Sequence, residues 1–448
     1  MSTCQLMLSE AAEILQGELQ GTDWTFTGVS TDSRHLQPGQ LFVALRGPHF
    51  DGHNHVEEAK AKGAAGVVVS RDVSVDLPQV RVADTRLALG QLAGAWRARF
   101  DIPVIAVTGS NGKTTVKEMI TAIMLQAGEV HATRANLNNE IGVPLTLLGL
   151  ARDDRAAVIE EGASHPGDIA YLTQFVRPTV ALVTNAAGAH LEGFGSLEAI
   201  ARTKGEIYEY LAPEGTAVIN ADDPKAGLWF SLARGHKVIS FGMENSSDVR
   251  GHWQADKPLQ ISTPQGELLI NLYLEGRHNA MNALAATAAA LAAGASLADI
   301  QAGLESMQPV AGRLQWKQGL NGARILDDTY NANPASLNAA LEVLASCPGE
   351  RYLALGDMAE LGAQAAVYHQ EAGRQARSCG VQHLYAVGEN SRQAVHAFGA
   401  QAYHFPRQDD LIAQLKKDLH ENVVLLVKGS RSAHMENIVA AVCVEAIS

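Results

Sequence analysis

Cysteine is scarce in this 448-residue chain: the four, Cys4, Cys347, Cys379 and Cys443, are scattered with neither metal-ligand spacing nor a disulfide framework. A reducing cytoplasm is the simplest compartment for such a pattern. A basic excess is also lacking. The formal net charge of −13 argues against nucleic-acid or anionic-membrane partners, which reward basic patches. Long apolar runs are missing too. The richest segment, Ala280 to Ala293, is mostly alanine and is interrupted by Asn282 and Thr287, so it reads as a packed helix and not a membrane span. The first ten residues, M-S-T-C-Q-L-M-L-S-E, hold no basic stretch followed by an apolar core, and no secretory signal is expected from them. With 46% hydrophobic and 19% charged residues the composition is globular, and the length suits two to four domains.

The chain is organised around Val104 to Thr115, V-I-A-V-T-G-S-N-G-K-T-T. A β-branched run suited to a strand buried on both faces breaks into a loop, where Gly109 and Gly112 permit a tight turn. Lys113 follows where a helix should begin. Such a loop offers a polyphosphate its backbone amides and a helix N-terminus, with Lys113 reaching terminal phosphates and Thr114 ligating Mg²⁺. The general pattern G-x-x-x-x-G-K-[ST] wants glycine where Val107 stands. Either this is a shorter variant or an ordinary strand-to-helix turn carrying a surface lysine. The order of strand, glycines, Lys-Thr and helix favours the phosphate reading.

Residues 1–83 read as a small mixed α/β domain, with a helix from Leu8, strands at Gly66–Val69 and Val80–Val82, and polar loops at Thr31–Arg34 and Phe42–His53. Residues 84–309 read as a central, largely parallel sheet with helices on both faces. A helix capped by Asp84-Thr85 should run to Phe100, and strands should follow at Ala157–Ile159, Val180–Thr184, Ala217–Asn220 and Lys237–Ser240. Ligands collect beyond the C-terminal ends of such strands, where Glu160, Glu161, Asn185 and His190 stand. A carboxylate there suits Mg²⁺ and an imidazole less so; either could equally be a solvated loop residue. Residues 310–448 read as a Rossmann-like doubly wound domain with strands at Ala323–Leu326, Tyr352–Leu355, Leu384–Val387 and Val423–Val427. Its strand ends carry D-D-T-Y-N-A-N-P, G-D-M-A-E-L-G and K-G-S-R.

Taken together, S-T-D-S-R and F-D-G-H near the start, T-G-S-N-G-K-T-T, N-L-N-N-E-I-G-V-P-L-T-L-L, A-H-L-E-G-F-G-S, G-R-H-N-A-M-N-A-L-A-A, D-D-T-Y-N-A-N-P and G-D-M-A-E-L-G resemble the Mur ligases of bacterial cell-wall synthesis, in family order over almost the whole chain. The short phosphate loop is the form that family uses. The resemblance implies three domains and an ATP-dependent amide ligation through an acyl phosphate. It is strongest to members that join D-alanyl-D-alanine to UDP-N-acetylmuramoyl-tripeptide: UDP-substrate at the N-terminal domain, ATP in the centre, dipeptide at the C-terminal domain. It implies Gly109, Ser110, Asn111, Gly112, Lys113, Thr114 and Thr115 around the phosphates; His278, Asn279 and Asn282 at adenine; and Arg313 and Asp328 reaching the nucleotide from the third domain. Thr114, Glu160 and His190 would surround magnesium, with two ions expected. Lys204 matches the lysine that the family carbamylates. Lys113, Lys204 and His190 would be the catalytic residues. Ser30, Asp32, Ser33, Arg34, Arg46, Asp51, Gly52, His53, Asn136, Asn138, Asn139, Tyr330, Asn331 and Asn333 would meet the substrates.

The chain departs from the family pattern at Ala135, His55 and Glu161, so that giving the metal to Glu160 rather than to its neighbour rests on alignment. A monomer without nucleic-acid or membrane partners is expected. Other readings are a different Mur ligase or a folylpolyglutamate synthase, and, from another class, a P-loop switch. For the switch the chain lacks both N-K-x-D and L-S-G-G-Q. A serine hydrolase fits worse, since Gly162-Ala163-Ser164-His165-Pro166 ends on proline where G-x-S-x-G ends on glycine.

Overall fold

The structure, a computed structural model, describes residues 4–188 and 191–444. It is a mixed α/β protein built on three main sheets. The central sheet has nine strands in the order Gly266–Ile270, Leu259–Thr263, Val249–His252, Lys237–Gly242, Thr216–Asn220, Val180–Val183, Val104–Thr108, Ala156–Glu160 and Val130–Ala132. From Val249–His252 onward every neighbouring pair is parallel, and the first three strands pair antiparallel. Val104–Thr108 lies inside this sheet with all five residues buried. That burial explains its unbroken apolar run, since a parallel strand with helices on both faces has no solvated side.

One face of the central sheet packs against the helices Lys113–Met124, Arg277–Ala292 and Leu297–Ser306. The alanines of Arg277–Ala292 let that helix lie close to strands and to the neighbouring helix, and Ala280, Ala283, Ala286, Ala288, Ala289 and Ala290 are fully buried. The opposite face shares one continuous core with the N-terminal sheet, through the helices Thr85–Arg97 and Gly142–Leu148. Each fully buried Val, Leu or Ile in these layers contributes about 1.5–3 kcal/mol of transfer free energy.

The N-terminal sheet runs Glu18–Gln20, Gln79–Arg81, Gly66–Val69, Leu41–Val43, Val29–Ser30, antiparallel only at its first pair. The C-terminal sheet runs Gln315–Gln318, Arg324–Asp328, Val423–Lys428, Glu350–Gly356, His383–Val387, Ala402–Phe405, again antiparallel only at its first pair. Both of its faces carry buried apolar clusters.

Two expectations need correcting. The helix capped by Asp84, whose carboxylate accepts from the Arg86 and Leu87 amides, stops at Arg97 instead of Phe100. The Arg97 guanidinium turns inward there and donates to the carbonyls of Phe100 and Val176, closing the helix before Pro103. The strand expected to include Thr184 ends at Val183, and the Thr184 hydroxyl instead donates to the Asn111 carbonyl at 2.7 Å. The antiparallel strands Leu259–Thr263 and Gly266–Ile270 were not expected. Their alternation of buried and exposed residues around Thr-Pro-Gln-Gly is the signal that could have found them.

Candidate active site

The phosphate-loop sequence turns where its glycines stand. Gly109 has φ +151°, and a Cβ there would lie 1.8 Å from the Thr184 hydroxyl oxygen. Gly112 caps the helix Lys113–Met124 at φ +82°, and a Cβ there would come within 2.5 Å of Asn282 Oδ1. Both are positions that only glycine fills without strain. The loop is tied to the end of the adjacent strand: the Ser110 amide donates to the Asn185 carbonyl (3.0 Å), the Asn111 amide to Asn185 Oδ1 (3.0 Å), and Asn185 Nδ2 to the Asn111 carbonyl (3.0 Å). The amides of the helix's first turn, which have no intrahelical acceptor, therefore open on a cleft from a rigid loop. Lys113 Nζ donates to the Gly109 carbonyl at 2.8 Å, and loss of solvent lowers its pKa against the opposing pull of Glu160.

Glu160 is the last residue of its strand and Glu161 the next, its amide still bonded to the Val107 carbonyl, so the two side chains face opposite ways. Glu160 points into the cleft: Oε2 accepts from the Thr114 hydroxyl (2.8 Å) and Oε1 from Asn138 Nδ2 (2.7 Å). Glu161 points to the other face of the sheet, fully buried. There Oε2 accepts from the Thr173 hydroxyl (2.6 Å), and Oε1 has no partner among the described residues. Burial pushes its pKa up to about 8. Of the two carboxylates, only Glu160 borders the cleft.

Lys204, from the helix Leu197–Gly205, also lines the cleft and is 3% exposed. Among the described residues its ammonium has no hydrogen-bonding or ionic partner, only the Phe194 ring 6.0 Å away. Burial first, and then the positive Lys113, hold its pKa well below the usual lysine value. A cation is thus disfavoured here and a neutral amine favoured. The donor set suits Mg²⁺ in kind, because the Thr114 hydroxyl and Glu160 carboxylate are hard oxygens. No group of three or more His, Cys, Asp or Glu gathers around them among the described residues, so further oxygens must come from elsewhere.

The third sheet closes the other wall of this cleft, whose volume is about 1120 Å³. Arg313 stacks 4.0 Å over the Tyr330 ring and donates from Nη2 to the Thr114 hydroxyl at 3.0 Å. Asn333 caps the helix Pro334–Ser346 with Oδ1 while its Nδ2 donates to Asn111 Oδ1 at 2.8 Å. Asp328 accepts from the Leu314 amide at 3.3 Å and pairs with buried Lys428, which also donates to the Asn331 carbonyl (2.9 Å). His278, half-buried, lines the cleft, where loss of solvent lowers its pKa to about 4 and leaves the ring neutral. Asn282 Nδ2 donates to Asn279 Oδ1 at 3.1 Å.

Of the residues singled out from sequence, the cleft gathers Ser110–Thr115, Glu160, Lys204, His278, Asn279, Asn282, Arg313, Asp328, Asn138, Asn139, Tyr330, Asn331 and Asn333. Gly109 stands behind it as the Lys113 acceptor. His190 lies outside the described residues. Asn136 is exposed and does not line the cleft.

Ser30, Asp32, Ser33, Arg34, Arg46, Asp51, Gly52 and His53 form a separate group at the strand ends of the N-terminal sheet. There Arg34 grips Asp32 with two donors (2.9 and 2.8 Å), the Ser33 hydroxyl donates to Glu58 (2.7 Å), and His53 lies between Asp51 (2.6 Å) and the Ser70 amide (2.9 Å). The Arg34 contact holds the Asp32 carboxyl below the usual carboxylate range. Lys428, which K-G-S-R places at a strand end, also lines the cleft, although no role was given to it from sequence.

Residues 25–97 match the family described as Mur ligase family, catalytic domain; residues 107–290 match the Mur ligase middle domain; and residues 312–431 match the Mur ligase, glutamate ligase domain. The chain is 46% identical to an Escherichia coli protein named UDP-N-acetylmuramoyl-tripeptide–D-alanyl-D-alanine ligase, over 97% of each chain. A solved UDP-N-acetylmuramoylalanyl-D-glutamyl-2,6-diaminopimelate–D-alanyl-D-alanyl ligase from Acinetobacter baumannii is 37% identical, with a TM-score of 0.89 and 98% of each chain covered. The MurF ligase of Thermotoga maritima, solved in complex with ADP, is 28% identical with a TM-score of 0.82, covering 92% of this chain and 96% of that one. The chain belongs to the Mur ligase family.

Proposed function

We propose that this chain is an ATP-dependent, ADP-forming amide ligase of peptidoglycan biosynthesis that joins D-alanyl-D-alanine to a UDP-N-acetylmuramoyl-tripeptide whose third residue is 2,6-diaminopimelate. The observation that carries the reading is full-length similarity to proteins of that name, 46% identical in the first case, together with a cleft in which a phosphate loop faces polar residues of a third sheet.

A carboxylate does not condense with an amine in water because its leaving group is poor. Phosphorylating the tripeptide carboxylate to an acyl phosphate supplies a good one, and the dipeptide amine then attacks that carbon. In this reading Lys113 and the helix amides hold the phosphates and offset charge that builds on the transferring group. Thr114, Glu160 and a carbamylated Lys204 would hold Mg²⁺, which neutralises phosphate charge when bound. The neutral state favoured at Lys204 supports carbamylation, since carbon dioxide reacts with the free amine and leaves an anion.

His278, Asn279 and Asn282 border the adenine end. Arg313 and Asp328 approach the nucleotide from the third sheet, and the group from Ser30 to His53 takes the UDP end. Tyr330, Asn331 and Asn333 stand toward the incoming dipeptide. We assign residues 1–83, 84–309 and 310–448 to UDP-substrate, ATP and dipeptide domains, in a monomer of the cytoplasm. No helix among the described residues is long and apolar enough to cross a membrane.

The test is to incubate the protein with ATP, Mg²⁺, D-alanyl-D-alanine and UDP-muramoyl-tripeptides differing at the third residue, measuring phosphate release and product mass. A product heavier by one dipeptide, with one phosphate per product, is expected. Phosphate release that ignores the tripeptide would overturn the reading.

A further inference from the structure

The cleft holds a polar arm that the ligation chemistry leaves unexplained. Contacts trace it from the phosphate loop to the N-terminal sheet. Thr114 meets Glu160 and Glu160 meets Asn138. Two residues on, Glu140 meets Arg86 Nη1 at 3.7 Å, and Arg86 Nη2 reaches the Arg46 carbonyl at 3.4 Å. Arg86 sits in the first turn of Thr85–Arg97, its amide fixed by Asp84 at 2.7 Å, and lines the same cleft as Lys113. A peptide anchored at the N-terminal sheet with its reacting carboxylate at Lys113 has to lie along this arm.

Chemistry says what that peptide carries. A glutamyl residue uses one of its two carboxyls in the chain and keeps the other. Diaminopimelate also has two, and only one is the carboxyl that reacts. Two non-reacting carboxylates therefore enter the cleft, and a carboxylate leaving water needs a charged or multiply hydrogen-bonded partner.

The other permanent cations of the cleft are engaged elsewhere. Lys113 serves the loop, Arg277 pairs with Glu244, Arg313 with Thr114 and Tyr330, and Lys428 with Asp328. Arg86 is different. Its two contacts are longer than charge-assisted hydrogen bonds, about 2.7–2.9 Å, and its side chain is 46% exposed.

We propose that Arg86 is a specificity residue whose guanidinium receives a non-reacting carboxylate of the peptide substrate, displacing its loose contact with Glu140. This rests on the ligase reading above and adds to it the residue that reads the peptide's charge.

The test compares the unmodified enzyme with Arg86→Ala and Arg86→Lys on three tripeptides: the glutamyl-diaminopimelyl form, one with lysine in place of diaminopimelate, and one with the free glutamyl carboxyl converted to its amide. For the full tripeptide Arg86→Ala is expected to raise KM roughly 10- to 100-fold, with a far smaller change in kcat. Arg86→Lys should recover part of the loss, and KM for ATP should hold in both variants. The analogue that lacks the partner carboxylate should show no further penalty in Arg86→Ala. If that is the lysine form, the carboxylate is diaminopimelate's; if the amide form, glutamate's. An equal rise in KM for all three peptides, or no rise for any, would overturn the proposal while leaving the ligase reading intact. Failure of the unmodified enzyme to extend any tripeptide would overturn both.

Discussion

Replacing Glu161 with glutamine should change how the protein's stability depends on pH. The carboxyl is fully buried on the sheet face away from the cleft, with one oxygen bonded to Thr173 and the other without a partner among the described residues. Its pKa rises from 4.5 to about 8. Because the folded state holds the proton more tightly than the unfolded chain, the group's contribution is fully present below pH 4.5. It is lost progressively as pH rises to 8 and is flat beyond. In that window the slope is about 1.4 kcal/mol per pH unit, which amounts to roughly 3 kcal/mol lost by pH 7.

Glutamine has no proton to lose and keeps an acceptor for Thr173. Its amide brings a donor to the unpartnered side, which shifts the variant's stability by a constant at every pH. The slope therefore carries the test and the offset does not. Urea denaturation at pH 5, 6, 7 and 8 without metal or nucleotide, followed by tryptophan fluorescence to which buried Trp229 contributes, measures the difference between variant and parent. That difference should move in the variant's favour by about 1.4 kcal/mol per unit. A difference constant across this range would show that Glu161 ionises normally and that the reasoning from its burial is wrong.

Lys204→Ala should lower ligase turnover by roughly 100-fold or more, the scale on which a lost metal-site group acts, and Lys204→Glu or added small carboxylates should restore part of it in a phosphate-release assay. Gly109→Ala should abolish nucleotide binding in a calorimetric titration, because its methyl would lie 1.8 Å from the Thr184 hydroxyl, and pairing it with Thr184→Ala should recover part of the binding. Lys428→Met leaves Asp328 without its buried cation and should cost about 3–5 kcal/mol in chemical denaturation, with Asp328→Asn added to it recovering part.

Much of the central architecture was legible because burial writes itself into composition. Val104–Thr108 reads as a strand buried on both faces, and it is one. The glycines of the loop could be placed because their backbone angles exclude other residues. The two glutamates could not be told apart in this way. Which of them faces the cleft is set by the phase of the strand, fixed by the pairing of Glu160 with Val107, and two like residues in a row carry no phase of their own. Contacts across the cleft were illegible for a different reason. Asn111 and Asn333 stand 222 positions apart, and nothing local to either segment tells one asparagine of its partner. The strand Ala402–Phe405 was missed because its short A-Y-H-F run lies at the sheet edge, partly exposed, without the apolar run of the inner strands. Arg86 escaped notice since, in sequence, it is a lone arginine in the first turn of a helix and belongs to none of the motifs.

The claim on which the rest depends is that the cleft activates a peptide carboxylate by phosphorylation. Tripeptide labelled with oxygen-18 in its reacting carboxylate, turned over with unlabelled ATP and D-alanyl-D-alanine, tests this through the mass of the phosphate released. Each phosphate should carry one labelled oxygen, with the other retained in the new amide. Unlabelled phosphate accompanying normal product would contradict the account.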